Sequence, residues 1–181
     1  LTALERAKRN GARIIAVNPL PEAGLMRFRN PQRLSGLAGK GTPLADLHLQ
    51  IRVGGDLALF QAIASLLVTW DAVDSRFIAD HTRGFAAYRT HLEGLDGDAV
   101  LAATGDGDAV LAATGLSHQE IETAARLFAR STATIVCWAM GLTQGRDAVA
   151  TIREVVNVQL LRGMIGKRGA GLCPVRGHSN V

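Results

Sequence analysis

The chain of 181 residues is 48% hydrophobic and 20% charged, and its formal net charge is +4 at pH 7. This composition predicts one globular domain with a hydrophobic core. No apolar run reaches the roughly 18 residues that a membrane span needs, and no signal-peptide pattern opens the chain. Two cysteines give neither a disulfide framework nor the spacing of a zinc or iron–sulfur site. We expect a cytoplasmic protein, since thiols stay reduced in that compartment.

The charges are unevenly distributed along the chain. Residues 1–40 carry eight basic and two acidic side chains, residues 41–161 carry eight and fourteen, and residues 162–181 carry four and none. Both basic stretches adjoin glycine-containing turns. This pattern favours a compact polyanion, such as a dinucleotide pyrophosphate, over a long nucleic acid duplex. Chance clustering on a solvated surface is the alternative.

Two short strands are predicted in the first third of the chain, after an opening helix. Apolar residues 13–17 form the first strand. Asn18-Pro19 stops it, because the residue before proline avoids the helical region and proline lacks a backbone N–H. Residues 20–43 are rich in Gly, Pro and Arg and indicate a long loop. A period-two alternation then predicts a half-buried strand over 47–52.

Capping signals mark the helices in the rest of the chain. Asp56 is a good N-cap, because its carboxylate accepts hydrogen bonds from the free N–H groups of a first helical turn, and Asp74 is placed to cap a second helix. Ser117 and Glu120 form a capping box before an apolar stripe. The predicted elements are helices over 56–69, 117–130 and 147–161, the last with Val149, Ile152, Val156 and Leu160 inward, and a core strand over 134–138.

The alternation of strands and helices favours a parallel sheet covered by helices. We therefore predict an α/β fold, a three-layer sandwich with a mostly parallel sheet of the dinucleotide-binding type. A perfect tandem repeat interrupts it, since residues 96–105 recur as 106–115. Two short copies do not make a solenoid, and the apolar middle of each copy opposes a calcium loop. We interpret residues 94–116 as a surface connection that carries a recent duplication.

The last part of the chain is rich in glycine and basic residues. Five glycines fall between Gly163 and Gly177, with no acidic side chain among them. Glycine lacks a Cβ, so such a segment lets backbone N–H groups approach an anion. Because the chain opens on Leu1 rather than methionine and closes on this segment, we expect an internal fragment of a larger multidomain subunit.

Five stretches in this order resemble the molybdopterin oxidoreductases, and within them the formate dehydrogenase alpha-subunit type. Each motif alone is weak, whereas their order and spacing are specific. The stretches are Ile14–Pro19, Leu44–Leu49 leading to Gly54–Leu59, Thr82–Phe85, Trp138–Gln144 and Gly163–Asn180.

The resemblance implies a molybdenum or tungsten ion held on two molybdopterin guanine dinucleotides. Asn18-Pro19 matches the strand end that contacts a nucleotide ribose, where the family often has Asp. Gly54-Gly55-Asp56 matches the turn at the guanosine end, where the carboxylate would accept hydrogen bonds from guanine N1–H and N2–H₂.

The resemblance also assigns roles near the pterin and the metal. Met140-Gly141 and Gln144 match a turn against the phosphate or pterin part of the cofactor. Arg176 matches an arginine near the metal and is the candidate catalytic residue. The remaining cofactor-binding candidates of the glycine-rich segment are Gly177, His178, which stands where the family often has Gln, and Asn180.

Each assignment has a structural alternative. Asp56 would serve only as a helix cap, the glycines as ordinary turn residues, Arg176 as a surface or ion-pair arginine, and His178 as a plain hydrogen-bonding histidine. We expect His48 to be structural and Cys137 to be buried in its strand. No metal ligand is assigned within the chain, because the family's metal-binding residue lies upstream of the stretch that is matched here.

Three hypotheses of function follow. The first makes residues 1–181 the central cofactor-binding region of an oxidoreductase catalytic subunit, incomplete at both ends and inactive by itself. It implies a small anionic substrate such as formate, an upstream iron–sulfur cluster and an electron-transfer partner subunit. The second is a nicotinamide-binding Rossmann domain, which needs a Gly-x-Gly-x-x-Gly turn that the chain lacks between its strands and helices. The third is a non-catalytic interaction module.

Overall fold

Helices cover most of the described chain, and its short strands pair in parallel. The computed structural model describes residues 1–30, 41–95 and 108–175. These residues fall into two compact units, Leu1–Ile51 and Arg52–Val181. The mixed helix and strand content and the parallel pairing confirm the predicted α/β class.

The first unit is built on a two-stranded parallel sheet. Its elements are α1 (Thr2–Arg9), β1 (Ile15–Val17), α2 (Ala23–Met26) and β2 (Leu47–Leu49). Ile15 lies opposite Leu47, and Val17 lies opposite Leu49. The buried side chain of Leu49 faces the interior of this unit, so the sheet supplies part of its small hydrophobic core.

Asp46 joins α1 and β1 to the start of β2. Its carboxylate accepts a hydrogen bond from the Ile14 N–H at 2.8 Å and one from the Arg13 guanidinium at 2.9 Å, and it pairs with the Lys8 ammonium. Burial raises the pKa of Asp46, but the hydrogen bonds and positive charges around it outweigh this effect and hold the pKa below its usual value. The carboxylate therefore stays charged and positions β1 beside β2.

The second unit is organised around one central helix. Its elements are α3 (Asp56–Thr69), α4 (Ser75–His81), α5 (Phe85–Gly94), α6 (Asp108–Thr114), α7 (His118–Arg130), β3 (Ile135–Trp138), α8 (Met140–Thr143), α9 (Ala148–Leu161) and β4 (Gly171–Pro174). Helix α3 packs against α5, α6, α7 and α9. Its buried residues occupy more than one face, and they are Leu59, Phe60, Ala62, Ile63, Ala64, Ser65, Leu66 and Leu67. A helix that is apolar on several faces belongs in the interior.

Helix α9 holds the β3–β4 pair through Gln159, a fully buried side chain. The two strands run parallel, with Ile135 opposite Gly171 and Trp138 opposite Pro174. The Gln159 Nε2 amide donates to the Thr134 carbonyl at 2.9 Å and to the Gly171 carbonyl at 2.8 Å. One side chain thus joins the amino ends of both strands to the helix.

Arg162, directly after α9, satisfies carbonyl groups at the ends of neighbouring elements. Its guanidinium donates to the carbonyls of Ala72, Phe128 and Ala129 at 2.6, 3.2 and 2.8 Å. The last two belong to the final turn of α7, where helical carbonyls lack intrahelical donors. Burial lowers the pKa of Arg162, and these hydrogen bonds replace part of the lost hydration.

Several predictions of helices and caps are confirmed. The predicted helices 56–69, 117–130 and 147–161 correspond to α3, α7 and α9. The Asp74 carboxylate accepts a hydrogen bond from the Phe77 N–H at 2.9 Å and caps α4. Ser117 and Glu120 form both hydrogen bonds of a capping box. These signals act over three residues or fewer, so neighbouring elements do not alter them.

The inward face predicted for the last helix is wrong. Val149 is 74% exposed, and the other three residues of the predicted stripe are only half-buried. The buried side chains of α9 are Thr151, Glu154, Val155, Val158, Gln159 and Leu161. Apolar residues occur around much of this helix, and three of its six buried residues, Thr151, Glu154 and Gln159, are polar. Glu154 accepts a hydrogen bond from the Tyr88 hydroxyl, and Gln159 binds the strands.

The predicted core strand over 134–138 is a strand, but it is not buried in the described structure. Ile135 is 56% exposed, and Cys137 is exposed rather than buried. Among the described residues β3 pairs only with β4, so its outward face is left open. The strands at 13–17 and 47–52 are also shorter than predicted, with three residues each.

The predicted surface connection over 94–116 is partly wrong as well. The second copy of the repeat forms α6, in which Val110 is 8% exposed and Thr114 is fully buried. This copy therefore packs as part of the core, because its apolar residues recur at helical spacing. Residues 96–107, which include the first copy, lie outside the described ranges. The predicted loop over 20–43 also contains α2 and a bridge between Phe28 and Thr42.

Gln159→Leu is expected to lower the free energy of unfolding of the 181-residue chain by roughly 1–3 kcal/mol, because the half-buried carbonyls of Thr134 and Gly171 each lose a donor. Urea unfolding followed by circular dichroism measures this change. The matched control is Gln119→Leu on the exposed surface of α7, which should shift the free energy by less than about 0.5 kcal/mol. Equal effects of the two substitutions would show that the Gln159 hydrogen bonds do not stabilise the fold.

Candidate cofactor-binding site

The structure describes three of the four segments that carry the predicted site residues. Asn18-Pro19 follows β1 in the first unit. The Gly54–Asp56 turn begins α3, and the Met140–Gln144 segment follows β3, both in the second unit. The fourth segment, with Arg176, Gly177, His178 and Asn180, lies outside the described residues.

Asn18 shapes the turn that ends β1. Its backbone N–H donates to the Leu49 carbonyl at 3.1 Å, which extends the β1–β2 ladder. Its side-chain oxygen accepts a hydrogen bond from the Leu20 N–H at 3.0 Å, and its Nδ2 donates to the Glu22 carboxylate at 3.0 Å. An Asx turn of this kind redirects the chain directly after the strand, and it leaves Pro19 exposed at the carboxyl end of the sheet.

The two positions before α3 require glycine for different structural reasons. Gly54 adopts a left-handed conformation with φ 87°, and a Cβ at this position would meet open space. Gly55 is buried and is the N-cap of α3. A Cβ on Gly55 would lie 2.8 Å from the Ala113 carbonyl oxygen and 2.9 Å from the Thr114 Cα. Only glycine permits this close approach of two backbones.

The partner of this turn is α6, which the sequence analysis did not assign to the site. The Arg52 N–H donates to the Thr114 carbonyl at 2.8 Å, and the Arg52 guanidinium donates to the Ala112 carbonyl. The last turn of α6 therefore supports the Gly54–Asp56 turn. The helical spacing of apolar residues within the repeat could have revealed α6. The sequence analysis instead interpreted the repeat as a surface connection.

Asp56 is the first residue of α3 and not its N-cap, contrary to the prediction. The cap position is occupied by Gly55, because a larger residue would collide with α6. The Asp56 side chain is half-buried. Burial raises its pKa, and the hydrogen bond from its own backbone N–H offsets part of this effect. Within the described ranges no basic side chain forms an ion pair with it.

The segment after β3 presents an exposed turn at the carboxyl end of the second sheet. Met140 is 54% exposed, and Gly141 and Gln144 are also exposed. The Gln144 N–H donates to the Met140 carbonyl at 3.0 Å and closes the short helix α8. A Cβ on Gly141 would meet nothing within 4 Å, and its φ lies outside the left-handed region.

Parallel pairing brings this turn to the same edge as the chain that leads to Arg176. Trp138 lies opposite Pro174 at the ends of β3 and β4, and the Val175 N–H donates to the Trp138 carbonyl at 2.7 Å. Ligands of open α/β sheets bind at the carboxyl ends of parallel strands. At this edge the end of β3, which leads to Met140 and Gly141, lies beside Val175, near the end of the glycine-rich segment.

Two of the predicted site glycines, Gly54 and Gly141, leave room for a ligand beside the backbone. The backbone at Gly54 and at Gly141 borders open space, so a ligand can approach its N–H groups closely. Across residues 1–30, 41–95 and 108–175, no group of three His, Cys, Asp or Glu is arranged to hold a metal ion. Nor does any described helix have the length and apolar character to cross a membrane.

Known proteins similar to this chain support a common origin. The chain is 51% identical over its full length to an uncharacterized oxidoreductase of Mycobacterium tuberculosis, of which it covers 23%. It is 33% identical over 97% of its length to formate dehydrogenase H of Escherichia coli, of which it covers 21%. Acetylene hydratase from Pelobacter acetylenicus matches 93% of the fold with a TM-score of 0.68 and 22% identity, over 19% of that chain.

The relatives and the five ordered motifs indicate the same family. The chain belongs to the molybdopterin oxidoreductase family. The family implies a molybdopterin cofactor. No protein-family profile matches the chain. The chain spans about a quarter of the length of the M. tuberculosis oxidoreductase and about a fifth of that of formate dehydrogenase H.

Proposed function

We propose that residues 1–181 are the central cofactor-binding segment of the catalytic subunit of a formate dehydrogenase-like enzyme, incomplete at both ends. The complete subunit holds bis-molybdopterin guanine dinucleotide with molybdenum or tungsten and oxidises a small anion such as formate. The similarity to formate dehydrogenase H over 97% of the chain supports this branch of the family. When bound, the metal on its pterin ligands supplies the electron acceptor of the reaction.

The main support for the proposal is that a glycine occupies position 141. The fold of the described chain does not require glycine at this position, because its φ is ordinary and a Cβ would meet no neighbour. A glycine is also a poor residue within a helix, since it costs roughly 1 kcal/mol relative to alanine. A ligand that lies against the backbone of Met140-Gly141 explains the choice. Gln144, one turn further on, is an exposed amide beside that surface.

Asp56 provides a second argument, from charge. A half-buried carboxylate without an ion-pair partner in the described structure is held in an environment that raises its pKa. Such an arrangement costs stability in the free protein and suits a ligand that offers hydrogen-bond donors. Guanine offers N1–H and N2–H₂ side by side, so one carboxylate accepts both. The neighbouring Gly54 and Gly55 keep this approach open.

The other assigned residues are proposed to bind the cofactor as well. Asn18-Pro19 ends β1, where the Asn18 amide retains one hydrogen and lone-pair capacity beyond its two local bonds, enough to bind a ribose hydroxyl. Gly177, His178 and Asn180 would contact the pterin from the glycine-rich segment. An iron–sulfur cluster, a partner subunit that accepts electrons and the cytoplasmic location belong to the same proposal, as does a three-layer sandwich in the complete subunit.

Gly141→Ala in the full-length subunit is expected to lower cofactor occupancy roughly tenfold, since the displaced contact is worth about 1.4 kcal/mol. Metal content by mass spectrometry and acid-released guanine nucleotide by chromatography measure the occupancy. Gly94→Ala is the matched control, because a Cβ there also meets nothing within 4 Å. Full cofactor content in Gly141→Ala, or a nicotinamide nucleotide in place of the guanine nucleotide, would overturn the proposal.

In the full-length subunit, Asp56→Ala is expected to reduce the amount of bound guanine nucleotide. The reduction should exceed that caused by removing an exposed carboxylate elsewhere. The 181-residue variant should unfold at the same or a higher urea concentration at pH 7, because the raised pKa shows that the charged carboxylate is disfavoured in the fold. Asp80→Ala, on the exposed face of α4, is the control. Unchanged nucleotide content in Asp56→Ala would show that Asp56 has no role in binding.

Arg176→Lys is expected to retain metal and pterin while turnover of formate falls on the order of a hundredfold, the scale of one lost electrostatic donor. A guanidinium binds a carboxylate with two parallel hydrogen bonds, whereas an ammonium supplies only the charge. Steady-state kinetics and metal analysis of the same preparation separate the two effects. Unchanged turnover, or loss of cofactor together with activity, would make Arg176 a cofactor-binding or structural residue and remove its catalytic role.

A further inference from the structure

Arg52 joins the end of α6 to the turn that precedes α3. Its backbone N–H donates to the Thr114 carbonyl at 2.8 Å, and its guanidinium donates to the Ala112 carbonyl. Carbonyl groups in the last turn of a helix lack intrahelical donors, and a cationic side chain at this end of a helix is electrostatically favourable. Arg52 therefore caps α6 with both its backbone and its side chain.

Gly115, directly after α6, makes room for the Arg52 side chain. Its φ is 71°, in the left-handed region. A Cβ at this position would lie 2.9 Å from the Cγ, 3.1 Å from the Nε and 3.2 Å from the Cδ of Arg52. The stem of Arg52 thus lies against the Gly115 backbone, and a larger residue there would push it away from the end of α6.

A turn of four residues, 52–55, links the position of Arg52 to that of Asp56. The Gly55 N–H donates to the Arg52 carbonyl at 2.9 Å, as in a hydrogen-bonded β-turn. The Gly55 carbonyl then accepts a hydrogen bond from the Leu59 N–H at 3.0 Å, at the start of α3. Asp56 follows Gly55 directly, so the placement of its carboxylate depends on this turn and on the residue that holds it to α6.

We propose that Arg52 is a positioning residue for guanine recognition, which holds the Gly54–Asp56 turn against α6 so that the Asp56 carboxylate is preorganised for the base. The inference rests on the proposed function, in which Asp56 accepts hydrogen bonds from guanine. A binding group that is already fixed loses less conformational entropy when the ligand binds. No basic side chain in the described ranges pairs with Asp56, so its backbone supplies the constraint.

A direct contact between Arg52 and a phosphate of the cofactor is the alternative role, because a guanidinium has five N–H donors. The two roles differ in how Arg52 and Asp56 depend on each other. A positioning residue acts through Asp56, so its substitution has little further effect once that carboxylate is removed. Two direct ligands contribute independently, so their effects on binding combine.

The test measures acid-released guanine nucleotide per full-length subunit in Arg52→Met, in Asp56→Ala and in the double variant. Methionine keeps an unbranched stem and removes the donors. Arg52→Met is expected to lower the nucleotide content roughly tenfold, the scale of one lost hydrogen bond from a charged group. The double variant should match Asp56→Ala. Arg52→Lys, which retains a cationic donor, should recover most of the content, and Arg76→Met on the exposed face of α4 is the control.

Gly115→Ala tests the same contact from the side of α6. Its Cβ displaces the Arg52 stem, so this variant is also expected to lose guanine nucleotide. Gly84→Ala is the matched control, because Gly84 has a left-handed φ of 82° but a Cβ there would meet nothing within 4 Å. Circular dichroism verifies that each variant folds.

Three outcomes would overturn the inference, and they are distinguishable. Wild-type nucleotide content in Arg52→Met, together with a loss in Asp56→Ala, removes the positioning role and leaves the proposed function intact. Losses that multiply in the double variant make Arg52 a direct ligand of the cofactor. A wild-type subunit that releases no guanine nucleotide overturns the proposed function, and this inference with it.

Discussion

The second unit depends on hydrogen bonds that the end of α9 supplies to backbone carbonyls elsewhere. Gln159 donates to Thr134 and Gly171, at the amino ends of β3 and β4. Arg162 donates to the end of α7 and to Ala72. A buried carbonyl without a donor is costly, so these side chains stabilise the ends of the short strands and helices by supplying hydrogen bonds. The position of both strand ends follows from this arrangement.

The packing of the chain requires glycine at some positions and not at others. Gly55 is required by the fold, since its backbone lies against α6 where a Cβ would collide. Gly141 has neither a left-handed backbone nor a close neighbour, so the described fold tolerates a larger residue there. Gly94 shares these two properties, so what distinguishes Gly141 is its exposed position directly after β3. For this reason the cofactor contact is proposed at the end of β3.

Membership in the molybdopterin oxidoreductase family and the geometry of the sheet support each other. Parallel strands place the turn at Met140 and the exit toward Arg176 at one edge, and open α/β sheets bind their ligands at such edges.

The sequence by itself determined the features that depend on a few neighbouring residues. The bounds of α3, the cap at Asp74 and the capping box at Ser117 were predictable, because each acts within one helical turn. Only the tertiary structure decided the inward face of α9, the burial of the repeat in α6 and the cap position of Gly55. The apolar pattern of α9 permits more than one orientation, and the partners that choose between them, Tyr88 and the carbonyls of β3 and β4, are distant in sequence. Contacts of this kind leave no local pattern in the chain.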